Sequence, residues 1–114
     1  MIAVEDLLSK FKKNIKIIQG DTNQILHEVS LKNIDFIFID GGHDYKTVKN
    51  DLEQSFKIIN KNGTILCDDW NLSQALGVRE AIKDFSKEKN INFEIVHERF
   101  AQFNFCLLYT SDAA

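Results

Sequence analysis

Apolar positions along the chain recur in two rhythms. Val4, Leu7, Leu8 and Phe11 stand three and four apart, the spacing of one face of a short amphipathic helix, and Lys12 and Lys13 suit its carboxyl end. Ile15 to Gln19 then reads as a strand. Gly20, Asp21 and Thr22 read as a turn whose Thr can cap, and Ile25, Leu26 and Val29 as the face of a second short helix. The unit repeats. Ile34 to Ile39 is an almost unbroken apolar strand ending in Asp40-Gly41-Gly42-His43, and Tyr45, Val48, Leu52, Phe56 and Ile59 form the stripe of a helix that Asn62-Gly63 should stop. In the third unit Thr64 to Cys67 is a strand, Asp68 to Asn71 a loop, and Val78, Ala81, Ile82 and Phe85 the face of a helix. Asn92 to Glu98 and Phe103 to about Tyr109 read as two closing β-stretches.

Apolar strands alternating with amphipathic helices predict an α/β fold, with a mostly parallel sheet covered by helices on both faces and built by crossovers. In such sheets ligands bind beyond the carboxyl ends of the strands. Composition adds exclusions. The 114 residues are 44% hydrophobic and 27% charged, enough for one core, and no apolar run approaches a membrane span of roughly 20 residues. With 14 basic against 17 acidic residues the net charge is -3, and the lysines are scattered, so nucleic acid is not expected as a direct target. The two cysteines, Cys67 and Cys106, form neither a CxxC nor a zinc pattern, and the amino terminus carries acids where a secretory signal carries bases, so a reducing cytoplasm is expected. Neither GxGxxG nor GxxxxGK[ST] occurs.

The candidate chemistry therefore lies in acidic strand ends. Gly20-Asp21, Asp40-Gly41-Gly42-His43 and Asp68-Asp69 fall on one rim of the expected sheet, and a hard divalent cation takes such oxygen ligands. Asp40, Asp68 and Asp69 are the candidate ligands. Each acid taken singly is equally well explained as a helix cap, whereas two adjacent carboxylates repel and call for a cation or a shared proton. His43, three residues from Asp40, is a candidate base when it is not a solvated loop histidine. Trp70, beside the acids, reads as a wall of a substrate pocket or as rim packing. A phosphoryl-accepting receiver domain would carry its acid pair before the lone Asp, the reverse of the order here.

Asp35-Phe36-Ile37-Phe38-Ile39-Asp40-Gly41-Gly42-His43-Asp44-Tyr45, with Val48 and Asp51, then Asn62 to Trp70 and Gly77-Val78, resembles the class I S-adenosylmethionine-dependent methyltransferases. The nearest type is methyltransferase family 24 and the sugar and small-molecule O-methyltransferases. Ile17 to Thr22 is similar to that family's strand 3 and G-D-[AST] turn. The resemblance runs from about Ile15 to Phe105 and implies a partial Rossmann-like sheet with an antiparallel carboxyl-terminal strand. It implies that Asp21, Thr22 and Asp40 border S-adenosylmethionine, that Asp40, Asp68 and Asp69 hold a divalent ion such as Mg2+, and that His43 with Asp40 serves catalysis on a hydroxyl of a small molecule or sugar. Asp69 stands where catechol-type enzymes carry Asn.

The family's first two strands, with a glycine-rich loop and a ribose-binding acid, find no counterpart ahead of Ile15. Residues 1–105 are therefore expected to be a partial domain, inactive by itself, in which Ile15 to Gln19 closes the gap and pairs with Ile34 to Ile39. The expected order, in family strand numbers, is 3-4-5-7-6. Cys106 to Ala114 is similar to the translation of a transposon adapter used in shotgun sequencing, and is expected to be a non-native tail. A non-catalytic binding module and a metal-dependent hydrolase using the same carboxylates are the rival readings.

Overall fold

The structure, a computed structural model, describes residues 14, 15, 17–25 and 32–105. The expected helix over Val4 to Phe11, the positions Leu26 and Val29, and the segment Cys106 to Ala114 lie outside the described residues. In chain order the elements are α1 (Thr22–Ile25), β1 (Ile34–Ile39), α2 (Tyr45–Ile58), β2 (Ile59–Cys67), α3 (Leu76–Lys89), β3 (Glu94–Val96) and β4 (Phe100–Asn104).

The four strands form one sheet in the order β1-β2-β4-β3. β1 and β2 are parallel, joined through α2 as their crossover, and β4 runs antiparallel to both β2 and β3. Phe36 to Ile39 face Thr64 to Cys67 in register. The expected fifth strand is a correction. Ile15 and Ile17 to Gln19 are not in the sheet, and Ile15, Ile17 and Ile18 are exposed large hydrophobics. An apolar run holds as a strand through cross-strand pairs and a buried face. Adjacency in sequence supplies neither here.

The core lies on one face of this sheet. Ile39, Ile65, Cys67, Ala101 and Phe103 pack against Val48 and Leu52 of α2 and Val78, Ala81, Ile82 and Phe85 of α3. Every stripe position predicted for α3 is buried, which is why that helix forms where its pattern places it. Phe85 meets Phe103 edge-on at 5.4 Å and Phe56 at 5.8 Å. On the opposite face Phe36 and Phe38 are exposed, and no described long helix covers them.

Two boundaries differ from the sequence reading. α2 ends at Ile58, where the Ile59 N–H bonds to the Ser55 carbonyl, and Asn62-Gly63 lies inside β2 instead of ending a helix. The register between Ile34 and Phe36 shifts because three extra residues of β2 are accommodated there. Gly63 permits the fold-back, since a Cβ at that position would stand 2.6 Å from Ile59 Cγ1. β3 lies inside the expected stretch Asn92 to Glu98, whereas the last strand is displaced: β4 begins at Phe100, not Phe103. The turn between them uses His97 and Glu98 at φ 53° and 62°, left-handed residues without the usual Gly or Asn, so composition did not mark it. The Arg99 N–H bonds to the Val96 carbonyl at 3.3 Å.

Candidate active site

β1 and β2 end side by side, and the Asp68 N–H bonds to the Ile39 carbonyl at 3.0 Å, carrying the ladder one step past the strands. Asp40 and Asp68 are thereby placed on the same rim. Asp69 then turns the chain at φ 66°, a conformation that is uncommon for a residue with a Cβ and frequent at functional sites. One carboxylate oxygen from each of Asp40, Asp68 and Asp69 lies within 4.8 Å of the others. A small cavity of about 10 Å3 is lined by all three acids together with His43, Gly41 and Gly42, room for one water-sized sphere.

Asp40, His43, Asp68 and Asp69 are thus brought together, and all but Asp40 are already engaged. His43 Nε2 lies 2.8 Å from Asp69 Oδ2, with the imidazole half exposed. Arg99 donates from Nε to Asp68 Oδ1 at 2.6 Å and from Nη2 to Oδ2 at 2.9 Å. Asp68 Oδ1 also accepts from the Asp69 N–H at 2.7 Å. The guanidinium, foremost among these, holds the Asp68 carboxyl below the usual carboxylate range although the side chain is only 5% exposed. The loop bearing His43 is held by Asp44, which caps α2 by accepting the Thr47 N–H at 3.0 Å.

Asp21 and Thr22 divide. Asp21 is exposed and caps α1 by accepting the Asn23 N–H at 2.9 Å, so Asp21 and not Thr22 is the capping residue. Thr22 lines a groove of about 400 Å3 that runs along β1 to Asp40 and Gly41, walled by Ile34, Phe36 and Phe38. Asp21 does not line it. Trp70 leans on Phe93 at 5.3 Å, with the Arg79 guanidinium 5.5 Å from its ring centre.

The sequence pattern assigned no role to Arg99, and it named Asp51 only as part of the family resemblance. Arg99 arrives from the β3–β4 turn, an element whose position was misread by three residues. Asp51 sits within the apolar stripe of α2, 5% exposed, with its carboxylate under Gly41 and along the groove. Burial, with Asp21 and Asp44 as like charges, raises its pKa, while Thr22 and Asn50 oppose the rise through hydrogen bonds. A charged residue beside Leu52 on a core-facing helix was the available signal.

With the fold and rim in place, comparison with known proteins identifies the family. The chain belongs to the methyltransferase domain family, whose profile matches residues 3–70. It is 34% identical over 70 residues to the uncharacterized protein R132 of Acanthamoeba polyphaga mimivirus, a match covering 55% of this chain and 32% of that protein. Among solved structures it is similar to the O-methyltransferase NovP, with a TM-score of 0.69 at 11% identity over 90% of this chain and 45% of NovP. It is also similar to CalS11, a TDP-rhamnose 3'-O-methyltransferase of calicheamicin biosynthesis, with a TM-score of 0.62 at 17% identity over 78% and 41%. Both likenesses establish a methyltransferase-like fold. The chain spans about a third of the viral relative's length and less than half of either solved structure.

Proposed function

We propose that this chain is the acceptor-side portion of an S-adenosylmethionine-dependent O-methyltransferase acting on a hydroxyl of a small molecule, a sugar among them, in a reducing cytoplasm. One observation carries the reading: Asp40, His43, Asp68 and Asp69 converge on one strand-end cavity, and Asp40 also reaches the groove that Thr22 lines. S-adenosylmethionine, held along that groove by Thr22 and Asp40, supplies the methyl sulfonium. The donor set fits a hard cation, with three carboxylate oxygens around a space of one water, so Asp40, Asp68 and Asp69 are the residues that would hold Mg2+. Such a cation would lower the pKa of the acceptor hydroxyl.

His43 is the base. Its Nε2 is committed to Asp69, which fixes the ring, and Nδ1 is then the nitrogen that takes the hydroxyl proton. Asp40, at the junction of cavity and groove, orients the acceptor towards the methyl group. Trp70 walls the acceptor side. Residues 1–105 form this partial domain, and residues 106–114 are an adapter-derived tail. Residues 1–14 hold no glycine, so the family's glycine-rich loop is not among them, and on this reading no methyl transfer is expected from these 114 residues alone.

The test is calorimetric titration of the chain with Mg2+ and with S-adenosylhomocysteine, then methyl transfer by a polypeptide extended upstream to supply the loop. Metal binding with weak nucleoside binding, and transfer on extension, is the expected outcome. Metal without nucleoside and without transfer would favour the hydrolase, and neither ligand would favour the binding module.

A further inference from the structure

We infer that Arg99 is the resident counter-cation of the acidic rim and competes with a divalent ion for Asp68, which makes the β3–β4 turn the element that sets the rim's ion affinity. The inference rests on the proposed reading that the rim holds such an ion, and deepens it by naming what the ion must displace.

The argument is one of lone pairs and charge. A carboxylate offers about four lone-pair directions. On Asp68, Arg99 Nε and the Asp69 N–H take two on Oδ1, and Arg99 Nη2 takes one on Oδ2. One direction is left for the cavity. The paired guanidinium also places a positive charge beside the position where a second cation would sit. The backbone of Arg99 is tied to the rim loop. The left-handed pair His97 and Glu98 makes the turn tight, and the Arg99 carbonyl accepts the Trp70 N–H at 2.9 Å, binding the turn to the loop that carries Asp68 and Asp69. The guanidinium itself is half exposed, so it can swing to solvent when Asp68 turns to an ion. Buried Asp68 keeps a cationic partner in both states, first Arg99 and then the ion.

Calorimetric titration with MgCl2 of the parent chain, Arg99→Gln, Arg99→Lys and Lys83→Gln tests this. Lys83 stands over the Trp70 ring and offers a nearby charge that does not touch Asp68. Arg99→Gln should bind Mg2+ about tenfold more tightly than the parent, since charge-assisted bonds no longer have to be broken. Arg99→Lys, which keeps the charge and loses the fork, should fall between the two. Lys83→Gln should stay close to the parent. Circular dichroism confirms that each variant is folded, and Arg99→Lys carries the test should Arg99→Gln unfold. If the parent binds Mg2+ and the Arg99 variants bind equally or more weakly, the competition is overturned while the metal reading stands. If neither the parent nor any variant binds, both fall.

Discussion

The backbone of Gly77 lies so close to His43 that a Cβ built on it would stand 2.9 Å from the His43 carbonyl oxygen and 2.6 Å from the Tyr45 amide nitrogen. The first turn of α3 is thus pressed against the loop that presents the candidate base, with backbone as the obstacle on both sides. Alanine at position 77 gains helix propensity of about 1 kcal/mol but must push that loop away, and overpacking of this kind costs roughly 1–3 kcal/mol. Gly77→Ala should lower the melting temperature and change the His43 imidazole resonances in an NMR spectrum. An unchanged or raised melting temperature with unmoved His43 signals would show that the approach has slack.

Much of this arrangement was legible in the sequence because it rests on local pattern. Val78, Ala81, Ile82 and Phe85 are all buried at 3% exposure or less, and the apolar run Ile34 to Ile39 is β1 to the residue. Strand ends in a parallel pair bring their acids together whatever the rest of the chain does, so Asp40, Asp68 and Asp69 could be placed on one rim. What failed depended on partners distant in sequence. Ile15 and Ile17 to Gln19 have strand composition without a place in the sheet, and the pairing of β4 with β2 fixes the last strand three residues earlier than its own pattern suggested. Arg99 was invisible for the same reason, because its role follows from a turn at His97 and Glu98 whose residue types do not announce left-handed backbone.

His43 and Asp69 form the pair on which the proposed proton transfer depends. In the polypeptide extended upstream, His43→Ala should lower the methyl-transfer rate roughly 10²- to 10⁴-fold, the usual worth of a general base. Because the change frees Asp69 of a partner and removes no carboxylate, Mg2+ binding should persist. Measured kcat alongside a Mg2+ isotherm checks both halves, and a rate equal to the parent's would remove His43 from the reaction.

Cys67 lies 1% exposed at the end of β2, and burial pushes its thiol pKa up to about 12, with Asp51 adding to the rise. The thiolate is the reacting species, so this cysteine should be inert towards iodoacetamide in the folded chain at pH 8 and react readily once urea unfolds it. Peptide mass spectrometry of the Cys67 fragment gives the readout. Prompt alkylation without denaturant would mean that the β2 end opens on the timescale of labelling.

Asp51 provides the pH test. Its pKa is raised in the folded chain, chiefly by burial and further by the negative charges of Asp21 and Asp44, with the bonds from Thr22 and Asn50 acting the other way. A folded-state pKa above the unfolded value near 3.9 means that the folded chain binds the extra proton, so this group's contribution falls as pH rises through that window and is unfavourable at neutral pH. Asp51→Asn retains a carbonyl for Thr22 and removes the buried charge. The variant should melt a few degrees above the parent at pH 7, on the order of 1 kcal/mol, and the difference should vanish below about pH 4, where both side chains are neutral. Thermal melts of both proteins across that range provide the measurement. A variant that melts lower than the parent at pH 7 would show that the Asp51 carboxylate is stabilised by its surroundings more than burial opposes it.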